Sequence, residues 1–94
     1  MGTKRGTAGS FSTKVSQMID LLTYITQNLT GSKDITVTQT EVEGRQEYTI
    51  KAPKEVMGLL IGKEGRTIRA IRNLARARAI VDKTLIDVKL EEKS

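Results

Sequence analysis

The chain has 94 residues, a formal net charge of +5 and 37% hydrophobic residues, of which only three are aromatic. This length suits one small domain with an aliphatic core. There is no cysteine and no histidine, which excludes disulfides, Cys or His metal sites, and catalysis by a thiol or an imidazole. We therefore expect neither an enzyme with a small-molecule substrate nor a cofactor or metal site. No apolar run approaches the roughly 20 residues that span a bilayer, so we expect a cytoplasmic protein without a membrane partner.

Positive charge is concentrated in one segment of the chain. Residues 54–78 contain seven Lys or Arg residues and only two Glu residues, whereas residues 15–50 carry five acidic residues against two basic ones. A basic segment is typical of a surface that binds phosphates, because neutralised phosphates release their counterions. An exposed helix face without a ligand is often equally basic, so charge alone leaves both interpretations open.

The first 14 residues are rich in Gly, Ser, Thr and Lys, and such a composition cannot bury enough apolar surface to become ordered. We predict a flexible basic arm over residues 1–14, one domain over residues 15–92 and a tail at 93–94. From Val15 onward the apolar residues have the spacing of an amphipathic helix that ends at Gly31. These residues are Val15, Met18, Ile19, Leu22, Ile25 and Leu29.

A β-hairpin is predicted next. Apolar and polar residues alternate over 35–38 and again over 48–52, and the Glu-Gly-Arg sequence at 43–45 is typical of a turn. The residues of the second strand that are predicted to face the core are Tyr48, Ile50 and Ala52. Val42 has the opposite parity to the earlier apolar residues, so we expect a bulge, a twist or a sheet edge near Thr40.

Two helices and a strand complete the predicted elements. The helices cover Pro53–Ile61 and about Arg66–Ala79, and the strand covers Thr84–Leu90. In the longer helix, Ile68, Ile71, Leu74 and Ala75 are predicted to share one side, with Arg69, Arg72 and Arg76 on the adjoining side. The order α-β-β-α-α-β predicts an α+β fold. Its three-stranded mixed sheet has an antiparallel first pair, a parallel second pair and helices on one face.

The most informative stretch is Gly-Lys-Glu-Gly at Gly62–Gly65, the GxxG loop, which separates these two helices. Two glycines three positions apart let the backbone turn sharply and let another backbone approach closely. Gly65 also opens the second helix, whose N-terminus offers unpaired N–H groups and the positive end of a dipole. The loop therefore suits an anion such as a phosphodiester. Lys63 and Arg66 add charge at its rim, and Arg69 lies one turn further on.

Other glycine-loop motifs do not fit the spacing. A Walker A loop has four residues between its glycines and then Lys-Ser/Thr, whereas Gly58 and Gly62 enclose three and Glu64 comes after Lys63. A Rossmann fingerprint is preceded by a strand, and here a helix precedes the glycines. A plain helix–helix turn, in which Gly58 lets two helices pack closely, also explains the glycines, so that alternative stays open.

The order of elements, with the GxxG loop between two helices, resembles the KH domain in its bacterial type II arrangement. The stretch from Val56 to Arg72 is similar to the KhpA-type family of small bacterial proteins with a single KH domain, and the resemblance covers about residues 15–92. It implies binding of single-stranded RNA, about four nucleotides, with the loop holding the RNA backbone. It also implies a homodimer, or a heterodimer with a larger KhpB-like KH protein, acting in post-transcriptional regulation or as an RNA chaperone.

The predicted RNA-binding residues belong to the GxxG loop and to the two flanking helices. They are Gly58, Leu59, Ile61, Gly62, Lys63, Glu64, Gly65, Arg66, Ile68, Arg69 and Arg72. Leu59, Ile61 and Ile68 either form an apolar wall for the bases or belong to the core. Arg72 either binds RNA, meets a partner or lies on a solvated helix face. Glu64 is an acid where a neutral or basic residue would suit a phosphate better, so we expect a modest affinity.

Two other classes of function remain open. A helix, a four-residue turn and a second helix also describe a helix-turn-helix that reads duplex DNA, although three strands argue against its usual all-helical context. The other class is an interaction scaffold whose loop binds no nucleic acid. The scarcity of aromatic side chains argues against an RRM or OB-fold platform, on which bases stack.

Overall fold

The computed structural model describes the backbone of residues 10–93 and the side chains of residues 15–93. In chain order the elements are helix α1 (Ser10–Thr30), strands β1 (Thr36–Val42) and β2 (Arg45–Ala52), helix α2 (Lys54–Ile61), a 3₁₀ turn (Lys63–Gly65), helix α3 (Arg66–Val81) and strand β3 (Ile86–Glu92). This is the predicted order α-β-β-α-α-β. No helix within residues 10–93 is both long and apolar enough to cross a membrane.

The first helix starts earlier than predicted. Apolar spacing placed its start at Val15, whereas α1 begins at Ser10. Residues 10–14, which were predicted as part of a flexible arm, are therefore helical. The rest of that arm, residues 1–9, lies outside the described residues.

The sheet has the order β1-β2-β3, and both predicted pairings are confirmed. β1 pairs antiparallel with β2, from Thr36 opposite Lys51 to Val42 opposite Arg45, and β2 pairs parallel with β3. The β1 register is unbroken, so there is no bulge near Thr40. β1 is instead an edge strand, and half-burial of Val42 at its end is compatible with that position.

One hydrophobic core joins the sheet to the three helices. Its fully buried side chains include Leu22 of α1, Ile50 of β2, Leu60 of α2 and Ile71 of α3. The alternation predicted for β2 is confirmed, because every second residue from Gln46 to Ala52 is buried and the residues between them are half-buried. The fold is the predicted α+β arrangement, with the helices covering one face of a mixed sheet.

Three details of the α2–α3 segment differ from the predictions. Pro53 is the N-cap residue that precedes α2 and does not begin its first turn. α3 extends to Val81, past the predicted end at Ala79. Leu74 is 55% exposed, whereas Ala75 is fully buried. Leu74 lies at the border of the buried side of α3, and helical spacing does not specify how wide that side is.

Candidate nucleic-acid interface

The GxxG loop connects α2 to α3 through backbone conformations with positive φ. Gly62 has φ 76° and ψ 174°, a region that is accessible almost only to glycine. Gly65, with φ 75° and ψ 16°, is left-handed, and Glu64 also has a positive φ of 57°. Glycine is therefore favoured at both ends of the loop. The turn places Gly65 at the N-terminus of the 16-residue helix α3.

Gly62 is also required by its packing against Thr67, a residue that the sequence analysis did not single out. A Cβ atom at Gly62 would overlap the Thr67 side chain and lie 2.8 Å from the Thr67 backbone nitrogen. A Cβ atom at Gly58 would meet nothing within 4 Å. The suggested role of Gly58 in close helix packing is therefore wrong. The close approach is at Gly62, and no sequence pattern signals its partner.

Part of the hydrogen-bonding capacity of the loop is used internally. The Gly62 amide donates to the Gly58 carbonyl at 2.8 Å, and the Gly65 amide donates to the Gly62 carbonyl at 3.2 Å. The Arg66 amide donates to the Lys63 carbonyl. The Gly65 and Arg66 amides are thus not the free donors that we expected. The attraction for an anion therefore depends mainly on the basic side chains and on the dipole of α3.

Three exposed basic side chains surround the loop. Within residues 15–93, the Lys63 ammonium group has no ion-pair partner. The Arg66 guanidinium lies 3.4 Å from the Glu64 carboxylate, and Arg69 Nη2 donates to the Glu64 carbonyl at 2.9 Å. Lys63 is therefore the cation most available to a ligand, whereas both arginines already contact Glu64.

The arginines further along α3 contact β3. Arg72 is half-buried, and its Nε donates to the Val88 carbonyl at 3.1 Å. The Arg76 guanidinium lies 3.8 Å from the Asp87 carboxylate. The two side chains share one side of the helix, as predicted, and both connect α3 to the sheet. Arg72 therefore has a structural contact in addition to any part in binding.

The apolar residues next to the loop divide into exposed and buried ones. Leu59 and Ile61 of α2 are 55% and 41% exposed, whereas Ile68 of α3 is 8% exposed and belongs to the core. Leu59 and Ile61 are therefore the two that could contact bases. Gly58 is also exposed on α2, with open space in front of its Cα.

Tyr48 packs inside the protein, as its position in β2 predicted. The side chain is 2% exposed. Burial, and secondarily the Asp82 carboxylate, raises the pKa of Tyr48 above its usual value of 10.0. Its ring is not available for stacking on a base.

A groove that the sequence analysis missed lies between α1 and α3, beside the start of α3. It has a volume of about 370 Å³ and is lined mainly by Ile25, Leu29, Ala70 and Leu74, with Arg66 among its lining residues. Leu29 and Leu74 are both partly exposed, at 46% and 55%. Apolar spacing alone assigned them to the core faces of their helices, so it gave no signal for a groove.

Comparisons with known proteins agree with this architecture. The family model described as KhpA/KhpB, KH domain, matches residues 19–91. The RNA-binding protein KhpA of Chlamydia trachomatis serovar D is 37% identical over 77 residues, which cover 80% of this chain and 97% of that protein. The RNA-binding protein KhpA of Caldanaerobacter subterraneus subsp. tengcongensis is 36% identical over 75 residues, or 78% of this chain and 99% of that protein.

A solved structure shows the same fold. The crystal structure of an Era variant from Aquifex aeolicus bound to GDP and AlF4− matches with a TM-score of 0.63 and 17% identity. The match covers 82% of this chain and 30% of the Era chain, and it concerns the fold alone. The predicted type II KH fold and the predicted family are confirmed, while the domain limits of 15–92 stay a prediction. The chain belongs to the KhpA/KhpB family of KH domains.

Proposed function

We propose that this chain binds single-stranded RNA, about four nucleotides at a time, with the sugar-phosphate backbone against the GxxG loop. The observation that carries the proposal is the exposure of this loop at the start of α3, with Lys63, Arg66 and Arg69 around it. The RNA-binding relatives support the same class of ligand. We further propose that the chain acts without catalysis, in post-transcriptional regulation or as an RNA chaperone.

The electrostatics of the loop favour a phosphate. The N-terminus of α3 carries the positive end of the helix dipole. Gly65 has no side chain to block an approach, and a Cβ atom there would have only Arg69 Nη2 nearby, at 3.7 Å. Lys63 lies between the two glycines and is free of ion pairs within residues 15–93. A phosphate on the loop would therefore meet Lys63 at once, with Arg66 beside the loop and Arg69 one turn further along.

The bases would lie beside the loop against α2. Leu59 and Ile61 present aliphatic surface there, and Gly58 leaves the adjacent helix backbone uncovered. Such a wall holds bases by contact with their faces and needs no aromatic stacking. This suits a chain in which Tyr48 is buried and few other aromatic side chains exist.

A titration of labelled oligonucleotides tests the proposal. We expect the chain to bind a single-stranded RNA of about eight nucleotides and to prefer it to duplex DNA of the same length. The double variant Lys63→Asp, Glu64→Asp should weaken RNA binding about tenfold or more. The control Lys83→Asp, Glu43→Asp makes the same chemical changes in two turns outside the loop and should bind RNA nearly as well as the wild type.

The outcomes separate the competing functions. A preference for duplex DNA would favour a helix-turn-helix reader. RNA affinity that is equal in the wild type and the loop double variant, with the fold retained, would favour an interaction scaffold. The affinity should also fall with salt, with a slope of log K against log salt of about −0.7 for each phosphate neutralised on a single strand. An affinity independent of salt would contradict phosphate contacts.

We also propose that the chain associates through α3, either with itself or with a larger KhpB-like KH protein. Ala70, Leu74, Ala77 and Val81 succeed one another along the exposed side of this helix. Leu74 and Val81 are 55% and 75% exposed, and an apolar stripe of this kind suits a partner surface. Two linked RNA sites would raise the avidity of a weakly binding domain.

The mass in solution, measured by light scattering, tests this association. We expect a dimer for the wild type and a monomer for Leu74→Lys. Tyr24→Lys replaces another exposed side chain, 68% exposed on α1, and should leave the dimer intact. A wild type that is monomeric alone and in the presence of a KhpB-like protein would contradict the proposal.

A further inference from the structure

Glu64 contacts both arginines at the start of α3. Its carboxylate lies 3.4 Å from the Arg66 guanidinium, and its carbonyl accepts a hydrogen bond from Arg69 Nη2 at 2.9 Å. These are the arginines nearest to a phosphate placed on the GxxG loop. The oxygen atoms of Glu64 therefore occupy donors that a phosphate would otherwise use.

The backbone of Glu64 does not account for an acid at this position. With φ 57° and ψ 26°, the residue is left-handed, a conformation that suits glycine or asparagine better than a longer side chain. The Glu64 side chain is not in the core, because it is 69% exposed. Its acidic group is the feature that distinguishes it from the residues that fit this backbone best.

We propose that the Glu64 carboxylate is an internal competitor for Arg66, and that it sets the RNA affinity of the GxxG loop. This inference rests on the proposed RNA binding. Competition requires a contact that a ligand can displace, and an ion pair with side chains 69% and 72% exposed meets that requirement because exposed pairs are weak. RNA then binds by replacing the carboxylate with a phosphate. The loop keeps a low affinity, and the RNA leaves readily.

The first experiment removes the charge and keeps the shape. Glu64→Gln retains the carbonyl contact to Arg69 and frees Arg66. We expect single-stranded RNA to bind about three- to tenfold more tightly in a fluorescence anisotropy titration at constant salt. The salt slope should steepen by up to about 0.7, because the phosphate on Arg66 then displaces no carboxylate that would take up a cation in its place.

Glu43→Gln is the matched control for the change in net charge. Glu43 is also an exposed acid at positive φ, 51°, directly before a glycine, but it lies in the β1–β2 turn. This variant should leave the RNA affinity within about twofold of the wild type. Equal tightening by Glu43→Gln and Glu64→Gln would overturn the proposal, since competition is local to the loop.

A double-mutant cycle separates competition from a general effect of charge. In the wild-type background, Arg66→Gln should weaken RNA binding about twofold or less, because Arg66 is held by Glu64. In the Glu64→Gln background, the same change should weaken binding about three- to tenfold. Additive effects of the two substitutions would contradict competition, because a long-range effect of the Glu64 charge does not depend on Arg66.

Glu64→Asn provides a second variant, since asparagine tolerates the left-handed backbone. It should also tighten binding, so the test stands even where Glu64→Gln disturbs the fold. If the wild type binds no RNA, the proposed function fails. If the wild type binds RNA and Lys63→Gln weakens it, while Glu64→Gln and Glu64→Asn change nothing, only the competitor proposal is overturned.

Discussion

The β1–β2 turn and the GxxG loop contain the same dipeptide in similar backbone conformations. Glu43 and Gly44 have φ values of 51° and 82°, and Glu64 and Gly65 have values of 57° and 75°. In the hairpin, two consecutive positive φ angles are what a type I′ turn requires. In the loop, the same pair opens α3. The dipeptide alone therefore does not distinguish a structural turn from a candidate binding site.

The two turns differ in the surroundings of the arginines that come after them. Beyond the hairpin turn, Arg45 lies 3.8 Å from Glu47 and 3.6 Å from Asp87, so carboxylates of the sheet neutralise it. Beyond the loop, Arg66 and Arg69 have no acidic contact within residues 15–93 other than the glutamate of the loop itself. A glycine turn is thus a candidate anion site only where the helix or strand after it carries basic side chains that carboxylates elsewhere do not neutralise.

The largest effect on stability should come from replacing one glycine of each turn, Gly62 or Gly44, by alanine. Gly62→Ala combines a backbone region almost closed to alanine with an overlap on Thr67, and we expect it to lower the free energy of unfolding by about 2–4 kcal/mol. Gly44→Ala has a φ of 82° but no atom within 4 Å, so its cost should be about 1 kcal/mol. Urea unfolding measures both, and equal losses would show that neither the Thr67 overlap nor the restricted backbone of Gly62 adds to the cost.

Removing a positive charge should lower the RNA affinity at the start of α3 but not at its far end. Lys63→Gln should weaken RNA binding about three- to tenfold, because Lys63 is the cation of the loop that has no ion pair within residues 15–93. Lys83 is also exposed at positive φ, 59°, but it lies at the far end of α3, about 24 Å along the helix. Lys83→Gln should therefore leave the affinity nearly unchanged. Equal losses in an anisotropy titration would mean that RNA binding depends on net charge rather than position.

The smallest effect on stability should come from replacing either turn glutamate, Glu43 or Glu64, by glycine. Glu43→Gly and Glu64→Gly each remove a side chain from a left-handed backbone, and the greater freedom of glycine in the unfolded chain offsets part of the gain. We expect each to raise the free energy of unfolding by about 0.5 kcal/mol, measured by thermal unfolding. If Glu64→Gly lowers the free energy of unfolding while Glu43→Gly raises it, the Arg66 ion pair stabilises the fold and is more than a weak surface contact.

Apolar periodicity predicted the helices and strands of the described chain because each element packs one side against a common core. Composition, by contrast, wrongly assigned residues 10–14 to an arm. α1 begins at Ser10, and Phe11, four residues before Val15, continues the apolar spacing of the helix. Periodicity itself failed where other forces decide. Leu74 was predicted in the core because helical spacing gives the direction of a side chain. Spacing does not tell whether neighbouring elements cover that side of the helix. Val42 broke the alternation without a bulge, since it ends an edge strand.

The location of the candidate site could be predicted from glycine spacing and charge, but its internal contacts could not. The packing of Thr67 on Gly62 depends on how α3 leaves the loop. The contact of Arg72 with Val88 joins a helix to a strand that the sequence separates widely. The pairing of Glu64 with Arg66 occurs in a turn whose backbone angles favour glycine at position 64, so residue preferences do not signal it. Each of these contacts is set by geometry that residue types alone do not specify.

The contact of Arg72 with β3 has a consequence for how the sheet ends. The Leu85 carbonyl and the Lys93 amide both bond to β2, and strand groups alternate in direction, so the Val88 carbonyl faces the opposite, free edge. An unpaired edge is a template for strand addition and aggregation unless something blunts it. The Arg72 Nε donates a hydrogen bond to this carbonyl. One arginine of a basic helix thus covers one of the acceptors that an added strand would need.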